Sequence, residues 1–313
     1  MSGSDMEAED LIGAVDIGGT KIAIGLVDRE GHLCARREMP TQAELGPQSG
    51  VLRIDNALRN ALEECRGNLI GIGIGSTGPV YPMTGEIGKL DFLPGWDGCN
   101  IVRELSDLFN LPVAMENDAD AAALGEVTWG AGKGASRFLY VTVSTGIGTG
   151  FVIDGDLYRG VNGSHPEMGH HIIDPSGPLC SCGGKGCWES LASGPAMVQW
   201  MNDIRFNSAQ EICSAAEQGD KHAQQAVART GYYLGSGLAN LITLLVPDVI
   251  ALGGGVMQSR HLFWEQIHAM IATICGYVPF REVQIVPALL GYQAGLVGAA
   301  CVWLHRYSKS SLR

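Results

Sequence analysis

Leu11-Ile12-Gly13-Ala14-Val15-Asp16-Ile17-Gly18-Gly19-Thr20-Lys21-Ile22-Ala23-Ile24-Gly25-Leu26-Val27 is the stretch whose reading decides the fold. Apolar residues run from Leu11 to Val15, break at Asp16 to Thr20, resume from Lys21 to Val27 and turn at Asp28 to Gly31. That is the pattern of two strands joined by a polar, glycine-rich tip. The same order returns later in the chain. Phe138 to Val143 reads as a strand, Ser144-Thr145-Gly146-Ile147-Gly148-Thr149-Gly150 as a glycine loop, Phe151 to Ile153 as a strand and Asp154-Gly155 as a turn. Two related α/β lobes follow from this echo, each opening with a hairpin whose tip can bind phosphate.

Helices fit the gaps. Val51 to Cys65 places Leu52, Ile54, Leu58, Leu62 and Cys65 at helical spacing. Asp118 to Trp129 is Ala-rich, with Asn117-Asp118 where an N-cap belongs. Ala223 to Leu245 is a longer apolar-periodic helix, with bends expected at Gly231, Gly235 and Gly237, and Pro247 stops it. Val249 to Leu252 reads as a strand ending in Gly253-Gly254-Gly255, and His261 to Ile274 and Gln293 to His305 as helices. The expected division is a small lobe, 1–125, joined by the closing helix in 293–313, and a large lobe, 126–292.

Composition narrows the function. Hydrophobic residues make up 46% and charged ones 17%, which suits a compact soluble protein and not a disordered one. A net charge of −12 without a Lys/Arg cluster argues against nucleic acid as a partner. Apolar runs such as Leu238 to Val246 are too short to cross a bilayer, so no membrane partner is expected. Met1 to Asp10 is acidic, has no apolar core and reads as a loose tail, not a signal peptide. Of nine cysteines, six stand singly and three crowd into Cys180, Cys182 and Cys187, which points to a reduced cytoplasm and one local metal site.

Asp16 to Lys21 has small residues where a phosphate chain needs close backbone approach, and a carboxylate able to hold Mg²⁺ through water; an ordinary hairpin turn reads the same way. Thr145 to Gly148 offers a second such tip, and Gly253 to Gly255 suits an adenosine group or simple close packing. Gly73-Ile74-Gly75-Ser76-Thr77-Gly78 matches a dinucleotide fingerprint, but Pro79 and Pro82 fall where its helix would start, leaving a ligand-facing loop. Asn117-Asp118 lies between a strand, Leu111 to Met115, and a helix, so Asp118 is either a reacting carboxylate or a plain N-cap. The C-x-C-x₄-C run from Cys180 to Cys187 suits thiolates turned onto one structural Zn²⁺, with a nearby His as fourth ligand, or else free thiols. Glu167 and Glu189 flank it, placed for hydroxyl recognition if the metal holds the loop rigid.

Together these residues resemble the ROK family of sugar kinases and repressors, most specifically in Glu167-x-Gly-His170 and the Cys180 to Glu189 block. The resemblance implies two actin-like (ribonuclease H-like) α/β lobes with a nucleotide and sugar cleft between them. It implies that Asp16, Gly18, Gly19, Thr20 and Lys21 form the first phosphate loop and Thr145, Gly146 and Gly148 the second, with Gly253, Gly254 and Gly255 at the adenosine of ATP. Ser76, Thr77, Gly78, Asn117, Asp118, Glu167, His170 and Glu189 are then the sugar side, with Asp118 as general base. His170, Cys180, Cys182 and Cys187 are the zinc set. Leu93-Pro94-Gly95-Trp96 resembles a sugar-side loop of the family's glucokinases and tilts the expectation toward a free hexose over an N-acetylhexosamine. The family's repressors carry a winged-helix domain ahead of the core, for which the residues before Leu11 leave no room, so a kinase is expected, and a homodimer.

Overall fold

The computed structural model describes residues 9–308; most of the acidic tail read in Met1 to Asp10 lies outside them, and Asp10 already begins a strand. The chain forms two compact units. One takes the chain up to Lys133, Leu157–His165 and everything from Tyr292 on; the other takes Gly134–Asp156 and Pro166–Gly291.

The first unit runs β1 (Asp10–Ile17), β2 (Lys21–Val27), β3 (Leu33–Pro40), α1 (Gly46–Cys65), β4 (Asn68–Ser76), a short ribbon of β5 (Val80–Tyr81) and β6 (Glu86–Ile87), α2 (Ile101–Phe109), β7 (Val113–Asn117) and α3 (Asp118–Trp129). Its sheet has the order β3-β2-β1-β4-β7, antiparallel from β3 to β1 and parallel from β1 to β7. β1 is covered on both faces, and its alternation sorts the two. Leu11, Val15 and Ile17 pack in the cluster with Ile54 and Leu58 of α1 and Leu105 of α2. Ile12 and Ala14 pack with Leu296, Ala299 and Trp303 of the closing helix. The buried stripe of α1 is Val51, Ile54, Leu58 and Ala61; Leu52, expected inside, is 56% exposed because it falls one residue off that stripe.

The second unit runs β8 (Arg137–Val143), β9 (Ile147–Ile153), β10 (Asp156–Leu157, whose last residue falls in the first unit), α4 (Trp188–Ala192), α5 (Gly194–Met201), α6 (Ala209–Glu217), α7 (Lys221–Leu245), β11 (Val249–Gly253), α8 (Trp264–Ile274) and β12 (Gln284–Pro287). Its sheet order, β10-β9-β8-β11-β12, repeats the first: an antiparallel β8–β9 hairpin, then β11 and β12 parallel to β8. α9 (Ala294–Tyr307) closes the chain on the first unit.

Three expectations are corrected here. The loop drawn from Ser144 to Gly150 is only Ser144–Gly146, since β9 starts at Ile147 and Gly148 pairs with Thr142 inside the sheet. Gly73 and Gly75 are not loop residues: β4 runs to Ser76, and a Cβ on Gly73 would stand 1.8 Å from the Ala299 carbonyl of α9, so glycine there admits the closing helix. α7 is one continuous helix. Its glycines make flat places for neighbours, Gly231 for Gln266, Gly235 for Met270 and Gly237 for Trp188.

Candidate active site

In the first unit the strand register assembles one group of residues. Ile17, Ser76 and Asn117 stand in line across the carboxyl ends of the parallel strands β1, β4 and β7, one step beyond Asp16, Gly75 and Glu116. Parallel strands place ligands at this end. Asp16 lies on the α9 face of β1, where a Cβ on Gly295 would come within 2.2 Å of Asp16 Oδ2. Burial, reinforced by the nearby Asp118, pushes Asp16 up to about 7, against the pull of Lys21 and Arg36.

Asp118 starts α3, and Asn117, not Asp118, provides the main cap: its Oδ1 accepts from Ala119 N at 2.9 Å and Asp120 N at 3.4 Å. Asp118 Oδ1 also accepts from Ala119 N, at 2.8 Å. Ser76 is fully buried, and Thr77 N donates to Ile17 O at 2.9 Å, which ties the Thr77–Gly78 turn to the first loop.

The Gly18–Thr20 tip is pinned from outside the hairpin. Thr41 Oγ1 donates to Gly18 O at 2.6 Å, and Thr41 N to Thr20 O at 2.9 Å. Lys21, assigned to this loop, extends along an exposed edge to Glu38 at 2.8 Å. Leu93 and Trp96, read as sugar-side residues, are core side chains at 1% and 0% exposure, with Trp96 against Gly50 of α1. Only the intervening Pro94 and Gly95 are exposed.

The second unit brings together the glycine turn, Glu167, His170 and Glu189. Ser144 N donates to Gly146 O at 2.9 Å, and Gly194 N, at the start of α5, to Ser144 O at 2.9 Å. Glu189 Oε2 accepts Ile147 N at 2.9 Å and leaves no space for a Cβ on Gly146. Glu189 itself is held because Trp188 before it is buried on Gly237 and donates from Nε1 to Tyr233 O at 2.9 Å. Glu167 is exposed and heads a short 3₁₀ turn, Met168–His170, which packs by Gly169 on the Ile147 carbonyl.

Beside the same turn, Gly254 (φ +90°) follows β11, and Gly255 after it borders a cavity of about 790 Å³ lined also by Thr145, Gly194, Asn207 and Ser208. Its lining contains hydroxyls, amides, Glu217 and His261, and no Lys or Arg. The chemistry suits a neutral heterocycle and a ribose.

His170, Cys180, Cys182 and Cys187 converge, with one ligand atom from each lying within 4.8 Å of the others. His170 Nδ1 and Cys180 Sγ are 3.4 Å apart, and Cys182 Sγ and Cys187 Sγ 3.5 Å. Tetrahedral bonds of about 2.3 Å subtend edges of about 3.8 Å, so the donors fit a zinc ion. The fit is also electrostatic: burial pushes the Cys187 thiol up to about 12, while Cys182, beside the Gly184 amide, lies below the usual thiol range. Such unequal thiols become equivalent thiolates under a divalent cation. His171 takes no part. Its Nδ1 donates to Met168 O at 2.5 Å and its ring packs on Trp188, just past the 3₁₀ turn that ends at His170.

The sequence reading missed Thr41, Gly295 and a buried ionic group, Glu116, Asp120, Arg159 and His165, all in the first unit. A glycine in the first turn of a helix was a signal for Gly295. Nothing local marked the others.

Two mixed sheets of identical strand order, each with a glycine-tipped hairpin, define an actin-like ATPase fold. The chain belongs to the ROK family, which it matches over residues 12–306. It is 34% identical over 311 residues to a glucokinase of Streptomyces coelicolor, covering 91% of this chain and 95% of that one. Among solved structures it superposes on a ROK hexokinase of Thermus thermophilus with a TM-score of 0.84 and 34% identity, covering 95% and 99% of the two chains. A ROK family glucokinase of Streptomyces griseus, in complex with glucose and AMPPNP, superposes with a TM-score of 0.80 and 33% identity, covering 93% and 98%. N-acetylmannosamine kinase and xylose repressors are also among its relatives.

Proposed function

We propose that the protein transfers the γ-phosphoryl group of ATP to a free hexose, glucose at its 6-hydroxyl before others. The observation that carries this reading is the conjunction of Asp118 with Asn117 and Ser76 at the strand ends of a fold shared with a glucokinase bound to glucose and AMPPNP. Asp118 takes the proton of the attacking hydroxyl as its oxygen bonds to the γ-phosphorus; the bond to the β-phosphate oxygen breaks and ADP leaves. Asn117, Glu167, His170 and Glu189 hold the remaining sugar hydroxyls. Gly19–Thr20 and Thr145–Gly146 offer backbone N–H groups to the phosphates, and the cavity bordered by Gly255 takes adenosine. Mg²⁺, held through water near Asp16, would spread the charge of the transferring group. Zinc on His170, Cys180, Cys182 and Cys187 is structural in this reading, since four protein donors leave no open position. A homodimer and cytoplasmic residence belong to the same proposal; among the described residues no helix is long and apolar enough to cross a membrane.

One observation keeps a second reading in play. With Leu93 and Trp96 buried, the loop that favoured hexose presents no large side chain to discriminate against an N-acetyl group. N-acetylmannosamine, N-acetylglucosamine or fructose is then the alternative acceptor. A steady-state panel of these sugars with ATP decides: the largest kcat/KM on glucose is expected, a larger value on N-acetylmannosamine selects the second reading, and turnover of none of them removes the kinase proposal.

A further inference from the structure

Leu157–His165 belongs to the first unit although the chain on both sides of it belongs to the second. Leu157 packs on the cluster of Ala114, Ala121 and Leu124, and two polar side chains add directional bonds. Arg159 donates from Nη2 to Glu116 Oε2 on β7, and from Nη1 to Asp120 Oδ2 in the first turn of α3. His165 Nδ1 donates to the same Asp120 oxygen at 2.7 Å; an ionised carboxylate only accepts, so the hydrogen sits on Nδ1. The group is sheltered, with side-chain exposures of 20% for Arg159, 15% for Glu116, 11% for His165 and 1% for Asp120. Among the described residues Asp120 Oδ1 is buried with no hydrogen-bond partner, so the carboxylate bonds through the oxygen facing this segment.

What matters most is where this group sits. Glu116 immediately precedes Asn117-Asp118, and Asp120 follows two residues after Asp118, so a single planar guanidinium brackets the turn that presents the proposed base. The segment's other anchor, His165, comes two residues before Glu167, the first of the proposed sugar carboxylates. A buried ionic group adds little stability over apolar packing of the same volume, but its directional hydrogen bonds set geometry. Lys could supply the charge of Arg159 but not two parallel donors.

We propose that Arg159 and His165, acting through Glu116 and Asp120, are positioning residues for the phosphoryl transfer: they lock the Asn117-Asp118 turn. The kinetic part rests on the sugar-kinase reading above. The double variant Glu116→Gln/Arg159→Met removes the clamp without stranding a buried charge at Glu116, and leaves Asp120 its His165 partner. Its melting temperature is expected to stay within a few degrees of the native protein, while kcat/KM for the hexose falls at least about tenfold, as for a misplaced reacting group, and KM for ATP changes by less than about twofold. Hydrogen exchange at the amides of residues 117–121 and 157–165 is expected to speed up in the same variant, a readout that needs no turnover. Native kcat/KM in the folded double variant, or unchanged exchange in both segments, overturns the proposal. Should that variant fail to fold, Arg159→Lys, which keeps the charge, is measured by the same kinetics and exchange: a fall in kcat/KM with faster exchange supports the clamp, and native values of either overturn it. A native protein that phosphorylates no sugar removes the functional reading, and the exchange measurement still decides the clamp.

Discussion

The two hairpins occupy the same place in two sheets of the same order, and they differ in what stands at the strand end. In the first unit the residue before the tip pair Ile17–Ile22 is Asp16, half-buried and pushed up to about 7; in the second, the residue before Val143–Ile147 is Thr142. The neighbouring parallel strand ends in Ser76 in one sheet and in Gly253 in the other. Around the first end gather Glu116, Asp118 and Asp120; around the second, a glycine turn whose Ile147 amide is taken by Glu189. One scaffold thus carries two different strand ends, one with Asp16 in the strand itself and one with a glycine turn held by Glu189. Topology supplies the platform, and a few strand-end residues supply the function.

Breaking the acidic side gives the largest expected effect. Asp118→Asn removes the proposed proton acceptor with little change in shape, and kcat should fall about 10²-fold or more while the hexose still binds. Steady-state kinetics with sugar titration by calorimetry checks both halves; near-normal turnover removes Asp118 from the base role. An intermediate effect is expected on the other side. Cys182→Ser, or removal of zinc by chelation, should raise KM for the hexose up to about tenfold and lower the melting temperature, with KM for ATP moving much less. Elemental analysis finding no zinc in the native protein would return the four donors to free thiols and a histidine.

The smallest effect is on stability. Asp16 ionises near 3.8 when unfolded and near 7 when folded, so between those values the folded state holds a proton that the unfolded state has lost. Its burial therefore costs stability progressively as pH rises from about 4 to about 7, and the cost stays constant above. Asp16→Asn should raise the melting temperature of the ligand-free protein by a few degrees at pH 8 and hardly at all at pH 4. An equal gain at both would show that Asp16 is not buried with a raised pKa.

Most of the fold was legible because its signals are local. The apolar run Leu11–Val15, the break at Asp16 and its echo at Phe138–Gly155 follow from strand composition and turn chemistry, and each is visible within a short window. The helix from Asp118 to Trp129 was legible for the same reason. Errors arose where a glycine had two physical uses. Gly73, Gly75, Gly148 and the α7 glycines were read as loops or bends, yet they serve close packing or sheet pairing, and which use applies depends on a neighbour remote in sequence.

The sequence by itself determined the duplicated hairpins, the glycine turns, the Asn117-Asp118 junction and the cysteine run with its histidine, because residue type and spacing carry that information directly. Only the tertiary structure decided that Leu93 and Trp96 are core, that Lys21 pairs with Glu38, that Gly295 makes room for Asp16 and that Arg159 and His165 meet Asp120. Burial and ion pairing are properties of what the folded chain brings near a side chain. Partners separated by 39 and 45 residues leave no periodic trace in either segment, so these pairs exist only once the chain has folded back on itself.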